Sequence, residues 1–439
     1  MLKRKIYDYL LKWKETHKNE CLIIKGARQV GKTFLIEKLF AKEYKSFISI
    51  NFYEHSEYKN IFEENLSAEE ILKRITANIP NAQIIPGDTL LFLDEIQTCA
   101  KARTALKFLA QSDKVDVVAT GSLLGLAYGQ DSDPEVEQVD SVPVGSENQI
   151  IMYPLDFEEF LWALGYDNSA IEYLKGYFDN KQKVPNELNK KYEQLLREYL
   201  VVGGMPEVVG DFVNNKDFGR VQEIQNKILN SYEDDIVNHA KSTEKTKVKR
   251  CYQSIPSQLA RENKKFKYSE VEKGSTSRKF ADSIDWLNNA NLVLKCYNLE
   301  EPTLPLNTHE KRNEFKCYIH DTGLLLAMYG FATKLAILNN TLLGSAKGGI
   351  YENFVAETLV KKGYSLHYYK PSDEMELEFI IEKDDFILPI EAKAGNSTTI
   401  SLNNYMKKYN PKYALKLING NIGFVDSKFT IPHYMLMFL

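Results

Sequence analysis

The sequence has no long apolar run and no patterned cysteines, and both absences narrow what the protein can be. No uninterrupted apolar stretch approaches the ~20 residues needed to cross a bilayer, and Lys12, Lys14, Glu15 and Lys18 interrupt the opening segment, which removes the apolar centre of a signal peptide. The five cysteines are scattered, with no two at metal-ligand spacing. We therefore expect a cytoplasmic protein without a membrane partner, a disulfide framework or a zinc knuckle.

The composition is that of a folded chain whose charge is segregated. At 439 residues and 44% hydrophobic content the chain is expected to form about three domains, and disorder is excluded. The net charge of −4 conceals two blocks. Residues 241–280 hold twelve Lys and Arg against four Glu, net +8, whereas residues 131–160 hold nine acidic residues and no basic one, net −9. Each block is either a solvated face or a binding surface.

The first third of the chain predicts an α/β fold. Short apolar runs typical of buried parallel strands alternate with segments that carry apolar residues at helical spacing. This order favours an open parallel sheet with helices on both faces. The predicted strands are 21–24, 47–50, 90–93 and 115–118, and the helices between them are 33–40 and 102–111.

The rest of the chain predicts three further parts. Long amphipathic helices are interrupted by the turn at 203–206, and three short helices followed by a strand at 292–297 outline a winged helix, although many packing modules share that outline. A second α/β segment follows. We predict a core at 1–165, a helical subdomain at 166–240, a winged-helix-like segment at 241–305 and a C-terminal α/β domain at 306–439.

A phosphate-binding loop follows the first predicted strand and precedes a helix. Its sequence matches G-x-x-x-x-G-K-[ST], in which the loop N–H groups and the helix start face a phosphate, the lysine reaches the β and γ oxygens and the hydroxyl can ligate Mg²⁺. The predicted nucleotide-binding residues are Gly26, Ala27, Arg28, Gln29, Val30, Gly31, Lys32 and Thr33.

Two acids at the end of the strand 90–93 complete the predicted site. Asp94 is expected beside the metal held by Thr33, and Glu95 can polarise a water toward the γ-phosphate. Thr120 and Ser122 end the next strand and offer hydroxyl groups near that phosphate.

These residues carry a resemblance to a known family. GARQVGKT, LLFLDEIQ, VVATGSLLG and YPLDFEEFL are similar to segments of the bacterial and archaeal AAA+ ATPases whose P-loop domain is followed by a C-terminal domain of unknown function. YLVVGGMPEVV and the segments 318–323 and 349–354 extend the resemblance over nearly the whole chain. It implies ATP and Mg²⁺ as cofactors, Lys32 and Thr33 as Walker A, Asp94 and Glu95 as Walker B, and Thr120 with Ser122 in the sensor region.

One position departs from that family. Relatives often carry an arginine after the P-V-G at 143–145, where this chain has Ser146. Such a cation can be worth about 10³-fold in rate, so its loss favours a second hypothesis, a nucleotide-gated switch with little turnover. Arg103 is a candidate substitute, and an arginine from a neighbouring copy leaves a homo-oligomer open.

The C-terminal acids resemble a nuclease site. Glu352 on a predicted helix, Glu378 on a strand and Glu391 with Lys393 at the end of the next strand follow the order of the PD-(D/E)xK nuclease superfamily, which implies a divalent metal. That pattern usually has Asp where Glu378 stands, and one extra methylene displaces the carboxylate. An ATP-dependent nuclease therefore stays an alternative, but we expect an inactive scaffold.

The basic block suggests a partner. Ser275–Lys279 opens the third helix of the winged-helix-like segment with hydroxyl groups and cations, which suit phosphate contacts, whereas Glu270 and Glu272 dilute the charge. Double-stranded DNA is the favoured partner and another protein is the alternative. The sequence thus predicts a Mg²⁺-dependent AAA+ ATPase whose nucleotide state rearranges the winged-helix-like and nuclease-like regions.

Overall fold

The computed structural model describes residues 1–122, 145–240, 243–395 and 400–439. These residues form two compact units, one made of 3–153 with 289–291, and the other of 1–2, 154–288 and 292–439. Within the described ranges, no helix combines the length and the apolar character needed to span a membrane.

The first unit is built on a five-stranded parallel sheet. Its strands run in the order β2-β3-β4-β1-β5, and each neighbouring pair is parallel. The predicted α/β class is confirmed, since this unit combines a parallel sheet with helices. The strands are β1 (Cys21–Gly26), β2 (Ser46–Asn51), β3 (Thr89–Asp94), β4 (Asp116–Ser122) and β5 (Glu147–Ile151), and the helices are α1 (Lys5–Thr16), α2 (Lys32–Lys38), α3 (Ala68–Asn78) and α4 (Ala100–Leu109).

Burial explains why the strands of this sheet read as continuous apolar runs. Every residue of β3 is buried, because strands and helices cover it on both sides. Since the strands are parallel, the ends of β1, β2, β3 and β4 meet at one edge of the sheet. Gly26, Asn51, Asp94 and Thr120 are brought to that edge.

The second unit begins with helices. Asp156 starts the first of them with a capping box, in which its carboxylate accepts from the Glu159 N–H while Glu159 accepts from the Asp156 N–H. Leu155 donates its N–H to the Gly204 carbonyl at 2.7 Å, and a side chain at Gly204 would meet the Leu155 carbonyl at 2.0 Å. The helices are α5 (Phe157–Ala163), α6 (Asn168–Asp179), α7 (Asn186–Val202), α8 (Pro206–Asn215) and α9 (Phe218–His239).

Three helices and a hairpin follow, and the winged-helix interpretation of this segment stays a prediction. The helices are α10 (Lys245–Leu259), α11 (Tyr268–Val271) and α12 (Ser277–Asn289), and the hairpin pairs β6 (Val293–Leu299) with β7 (Glu310–Ile319). Because β6 also pairs with β8 (His367–Ser372), the hairpin is one edge of a larger sheet. The domain boundary predicted at 305–306 falls in the connection between β6 and β7.

The larger sheet has eight strands of mixed direction in the order β12-β13-β11-β10-β9-β8-β6-β7. Asp321 joins it to the helices, because one carboxylate oxygen caps α13 at the Leu324 N–H and the other accepts the Gly204 N–H at 2.6 Å. The remaining strands are β9 (Met375–Lys383), β10 (Phe386–Ala392), β11 (Ala414–Ile418), β12 (Gly423–Val425) and β13 (Lys428–Pro432), and the helices are α13 (Thr322–Tyr329), α14 (Phe331–Leu338), α15 (Ser345–Lys361) and α16 (Ile400–Tyr409).

All five cysteines lie in described segments, and each is a buried free thiol.

Candidate functional site

The P-loop bends tightly between β1 and α2. Gly26 has φ +154°, and a Cβ there would meet the Met152 carbonyl oxygen at 2.3 Å, so only glycine fits. Gln29 lies in the left-handed region with φ 64°, a strained conformation of the kind found at ligand-binding loops. The geometry therefore agrees with the tightly turned loop that the sequence motif predicts between β1 and α2.

Lys32 lies inside this curl. Its side-chain nitrogen donates to the Gly26 carbonyl at 3.1 Å and to the Ala27 carbonyl at 2.9 Å, and the residue is 8% exposed. The ammonium group is thus held within the concave side of the loop, where an anion would meet it.

Asp94 is the centre of a hydrogen-bond network at the sheet edge. Its Oδ2 accepts from the Thr33 hydroxyl at 2.9 Å and from the Asn51 amide at 3.3 Å, and its Oδ1 accepts from the Thr120 hydroxyl and from the Glu95 N–H at 3.1 Å. At 3% exposure this carboxylate is buried and fully surrounded by donors. The structure brings Thr33, Asp94 and Thr120 together, as the motif spacing suggested.

Glu95 occupies a left-handed conformation, with φ 53° and ψ 42°. Its backbone carbonyl accepts from the Thr98 hydroxyl at 2.9 Å, and its carboxylate accepts from the Gln97 amide. The Glu95 carboxylate is therefore held by Gln97, two residues later in the chain.

Several positions discussed from the sequence lie away from the P-loop or outside the described residues. The side chain of Ser122 lies outside the described residues, as do residues 142–144. Arg103 pairs with Glu147, its Nη2 lying 2.7 Å from Oε2. Glu147 pairs with Cys21 at the beginning of β1, five residues before Gly26, which is roughly 16 Å along a strand. Ser146 accepts the Cys21 N–H at the same end, so neither position lies at its own P-loop.

Two residues at the P-loop edge were missed from the sequence. Asn51 ends β2 beside Asp94, and a polar residue directly after a predicted strand was an available signal. Arg4 donates to the Val30 carbonyl at 3.2 Å and to the Tyr153 carbonyl at 2.6 Å. No local pattern points to Arg4, because its partners lie far from it along the chain.

The C-terminal acids form a second cluster. Glu378 and Glu391 both face Lys393, at 2.5 and 3.6 Å, so the nuclease-like order does bring these three side chains together. Glu352 on α15 pairs instead with Lys264 and Lys316, at 2.9 and 3.4 Å. Within the described ranges, no three His, Cys, Asp or Glu side chains are grouped so as to hold a metal.

Burial and the lysines set the titration of this cluster. Burial raises the pKa of Glu391 to about 7, and a neighbouring Glu378 acts in the same direction. Burial by itself would also raise the pKa of Glu376, but the ammonium groups of Lys316 and Lys370 lower it to about 2. The cluster therefore has one carboxyl group that can hold a proton near neutral pH and another that stays ionised.

Most cations of the basic block are engaged within the protein. Ion pairs with glutamates occupy Lys247, Lys249, Arg250, Arg261, Lys264, Lys265 and Lys279. Lys241 lies outside the described residues. Among the described residues of the block, Lys245, Lys267, Lys273 and Arg278 form no ion pair, and the last three are exposed.

Comparison with protein families divides the chain into three matches. Residues 18–161 match the AAA domain family. Residues 193–335 and 347–434 match two families described as domains of unknown function, DUF8612 and DUF4143. No curated protein sequence matches the chain.

Solved structures give remote similarities. A Walker-type ATPase of Pyrococcus abyssi is 15% identical, covers 75% of this chain and 96% of its own, and has a TM-score of 0.45. The replication initiator DnaA bound to AMPPCP and single-stranded DNA is 13% identical over 66% of this chain and 86% of its own, with a TM-score of 0.27. A Drosophila ORC bound to AT-rich DNA is 12% identical over 74% and 91%, with a TM-score of 0.18.

These similarities establish no ligand or partner, but the family match agrees with the parallel sheet and the P-loop. The AAA+ part of the predicted resemblance is confirmed for residues 18–161, while the nuclease-like part stays a prediction. This chain therefore carries an AAA-type P-loop ATPase domain, followed by two regions that match families of unknown function.

Proposed function

We propose that the protein binds ATP with Mg²⁺ at the P-loop and hydrolyses it. The observation that carries this proposal is the direct hydrogen bond of 2.9 Å between Thr33 and Asp94, beside a lysine held inside the loop. In such sites a hydroxyl and a carboxylate at this spacing hold the metal and the lysine meets the phosphates. The donor set fits both groups, because the oxygens of Thr33 and Asp94 are the hard ligands that Mg²⁺ prefers.

Each residue of the nucleotide site has a separate role in this proposal. Thr33 and Asp94 would hold the metal, which when bound neutralises charge on the phosphate oxygens. Lys32 would exchange the carbonyls of Gly26 and Ala27 for the β and γ oxygens. Glu95 would orient the attacking water and accept its proton, and Gln97 would fix the direction of that carboxylate.

A nucleotide-gated switch with little turnover is the second candidate. It is favoured by the ion pair between Arg103 and Glu147, which engages the one arginine of α4 at the far end of β1. Ser146 replaces the usual arginine, and Arg103 is held by Glu147. Neither residue therefore offers a free cation to the γ-phosphate. Tight ATP binding with negligible hydrolysis, with or without DNA, would select this switch over the ATPase.

We also propose that the nucleotide state acts on the winged-helix-like segment, and through it on duplex DNA. Support comes from three exposed cations that form no ion pair among the described residues. Lys267 directly precedes α11, Lys273 lies between α11 and α12, and Arg278 lies in the first turn of α12. Cations at the start of a helix suit phosphate contacts. Another protein is the alternative partner of this face.

The ATP site is tested with two substitutions that separate binding from chemistry. Lys32→Ala should abolish tight ATP binding in isothermal titration, since it removes the ammonium group that lies inside the loop. Glu95→Gln should keep that affinity and slow steady-state hydrolysis by about 10²-fold or more, because it keeps the shape and removes the base.

Lys38→Ala is the matched control, since Lys38 ends α2 outside the loop. ATP affinity unchanged in Lys32→Ala would remove the phosphate site from the proposal. Unchanged turnover in Glu95→Gln, with binding intact, would instead reassign the base alone.

A further inference from the structure

The nuclease resemblance requires a divalent metal, and the acidic cluster does not fit one. Both oxygens of Glu352 are engaged, because Oε1 lies 2.9 Å from the Lys264 ammonium and Oε2 accepts from Tyr318 at 3.2 Å and from Lys316 at 3.4 Å. Both oxygens of Glu378 are engaged as well, by Lys393 at 2.5 Å and by the Ala392 N–H at 3.3 Å. A metal would have to displace these donors.

Glu391 is the carboxylate of the cluster with the loosest contacts. Its buried Oε2 has no hydrogen-bond partner among the described residues, and its Oε1 lies 3.6 Å from the Lys393 ammonium. A divalent metal needs several oxygen ligands with open lone pairs. One open oxygen next to the Lys393 ammonium does not provide that.

The lysines balance the acids in number. The four carboxylates of the cluster are Glu352, Glu376, Glu378 and Glu391, and the four ammonium groups that reach them are Lys264, Lys316, Lys370 and Lys393. Lys316 is the most central, since it pairs with Glu376 at 2.6 Å as well as with Glu352 and its side chain is only 2% exposed. A buried cation surrounded by carboxylates stays charged, and the pKa of Lys316 is raised although its burial opposes this.

We propose that the ammonium groups of Lys264 and Lys316 occupy the cation position of this cluster, so that the C-terminal domain holds no divalent metal and instead uses the cluster to fasten the basic segment to the sheet. The extra methylene of Glu378 is then not the main reason why the cluster does not bind a metal. The presence of built-in cations is what excludes the metal.

The segment held by the cluster is 264–266, which pairs with β7 through its backbone. Lys265 bridges to Lys316 in antiparallel fashion, and Phe266 donates its N–H to the Phe315 carbonyl at 2.8 Å. Residues 264–266 therefore run along the outer side of β7, and the Lys264 side chain reaches past that strand to Glu352. A lysine of the basic block is thereby withdrawn from any external partner.

The inference is tested by exchanging the lysines for a neutral side chain of similar length. In Lys264→Met/Lys316→Met the acids lose their built-in cations, so Mn²⁺ should bind with one-to-one stoichiometry by electron paramagnetic resonance. At a hundredfold excess over the dissociation constant it should raise the melting temperature by about 5 °C or more. The wild type should show no Mn²⁺ binding or stabilisation beyond that of the P-loop site, and it should not nick plasmid DNA in Mn²⁺.

Two variants make the measurement specific. Adding Glu391→Gln to the double variant should abolish the added Mn²⁺ binding and the rise in melting temperature. This loss distinguishes Mn²⁺ bound at the cluster from Mn²⁺ bound at the P-loop. Lys370→Met is the matched control, because this lysine reaches only Glu376 within the cluster and is also near the exposed Asp373. If the double variant does not fold in chelator, Lys264→Met alone is measured, since Lys264 lies at the margin of the cluster.

Stoichiometric Mn²⁺ binding by the wild type that is lost in Glu391→Gln, or metal-dependent nicking by the wild type, would overturn the proposal. A folded lysine variant that gains no Mn²⁺ binding would overturn it too. Neither result bears on ATP binding, so the two proposals fail separately.

Discussion

The imidazole of His17 faces an acceptor at each of its nitrogens. Nδ1 lies 2.8 Å from the Trp13 carbonyl and Nε2 lies 3.1 Å from Oδ1 of Asp116. A neutral imidazole has only one N–H, so both contacts are satisfied together only by the imidazolium. The hydrogen bond to Asp116 raises the pKa of His17, against the burial that lowers it, and Glu20 adds a smaller effect in the same direction as Asp116.

The wild type should therefore lose stability relative to His17→Gln as the pH rises. A folded pKa above the unfolded 6.5 means that the contribution is complete below that value and disappears as pH increases through the folded pKa. Below pH 6 the wild type should be more stable by about 1.5–3 kcal/mol, the usual size of a charged hydrogen bond. Urea unfolding between pH 5.5 and 8.5 measures the difference.

Tyr44→Phe is the control for this measurement, since Tyr44 donates to the other oxygen of Asp116 and does not titrate in this range. Its effect should be nearly the same at every pH. A difference between wild type and His17→Gln that also stays constant with pH would mean that His17 is neutral in the folded protein.

Single side chains mark the limit of what the sequence predicts about the sites. Lys32, Thr33 and Asp94 could be foreseen because a local motif fixes their backbone and therefore their direction. Lys316 could not, because its two ion-pair partners come from α15 and β9, and their meeting depends on strand order. Arg4 was missed for the same reason.

Two adjacent glycines of α15 have different neighbours. A Cβ at Gly349 would meet the Leu259 carbonyl oxygen of α10 at 2.2 Å, whereas a Cβ at Gly348 would meet only the end of the Lys264 side chain at 3.9 Å. Of these two glycines, Gly349 is the one at which the helices approach backbone to backbone.

Gly349→Ala should destabilise the protein by about 1–3 kcal/mol, because the helices must separate to admit the methyl group. Gly348→Ala should be neutral or stabilise by about 0.5–1 kcal/mol, since alanine is the better helix former and meets no rigid atom. Chemical denaturation of both variants makes the comparison. Equal effects at the two positions would show that α10 and α15 are not packed as closely as described.

Helices and strands were foreseen best where their partners are near in sequence. The predicted strand 90–93 lies inside β3, and the third helix of the winged-helix outline, predicted to open at Ser275, begins two residues later as α12. The pairing of β6 with both β7 and β8 was not foreseen, because β8 lies some 70 residues later in the chain and no local pattern specifies a parallel partner. The need for glycine at position 349 could not be predicted either, because it arises from the close contact with α10.

The whole molecule should bind duplex DNA with a shallow salt dependence. Each neutralised phosphate contributes about −0.9 to the slope of log K against log salt, so twelve free cations would give about −11 and four give about −3.6. Because seven cations of the basic block are engaged by glutamates, we expect the smaller slope. Fluorescence anisotropy with a labelled duplex at several salt concentrations, from about 50 to about 200 mM, is the measurement.

A triple variant with Lys267, Lys273 and Arg278 changed to alanine should reduce that slope by about 3. The double variant Lys247→Ala/Lys249→Ala removes cations that are already paired and should leave it nearly unchanged. Absence of duplex binding at low salt would make this face a contact for another protein instead.

The buried thiols have a practical consequence for measuring movement. Burial raises the pKa of all five cysteines, which keeps them protonated as well as covered. Cysteines introduced at Tyr53 and Leu343, which are 78% and 82% exposed and lie in different units, would be the pair that a maleimide dye reaches. Energy transfer between two such dyes can then follow the distance between the units as nucleotide is added, with every native thiol left in place.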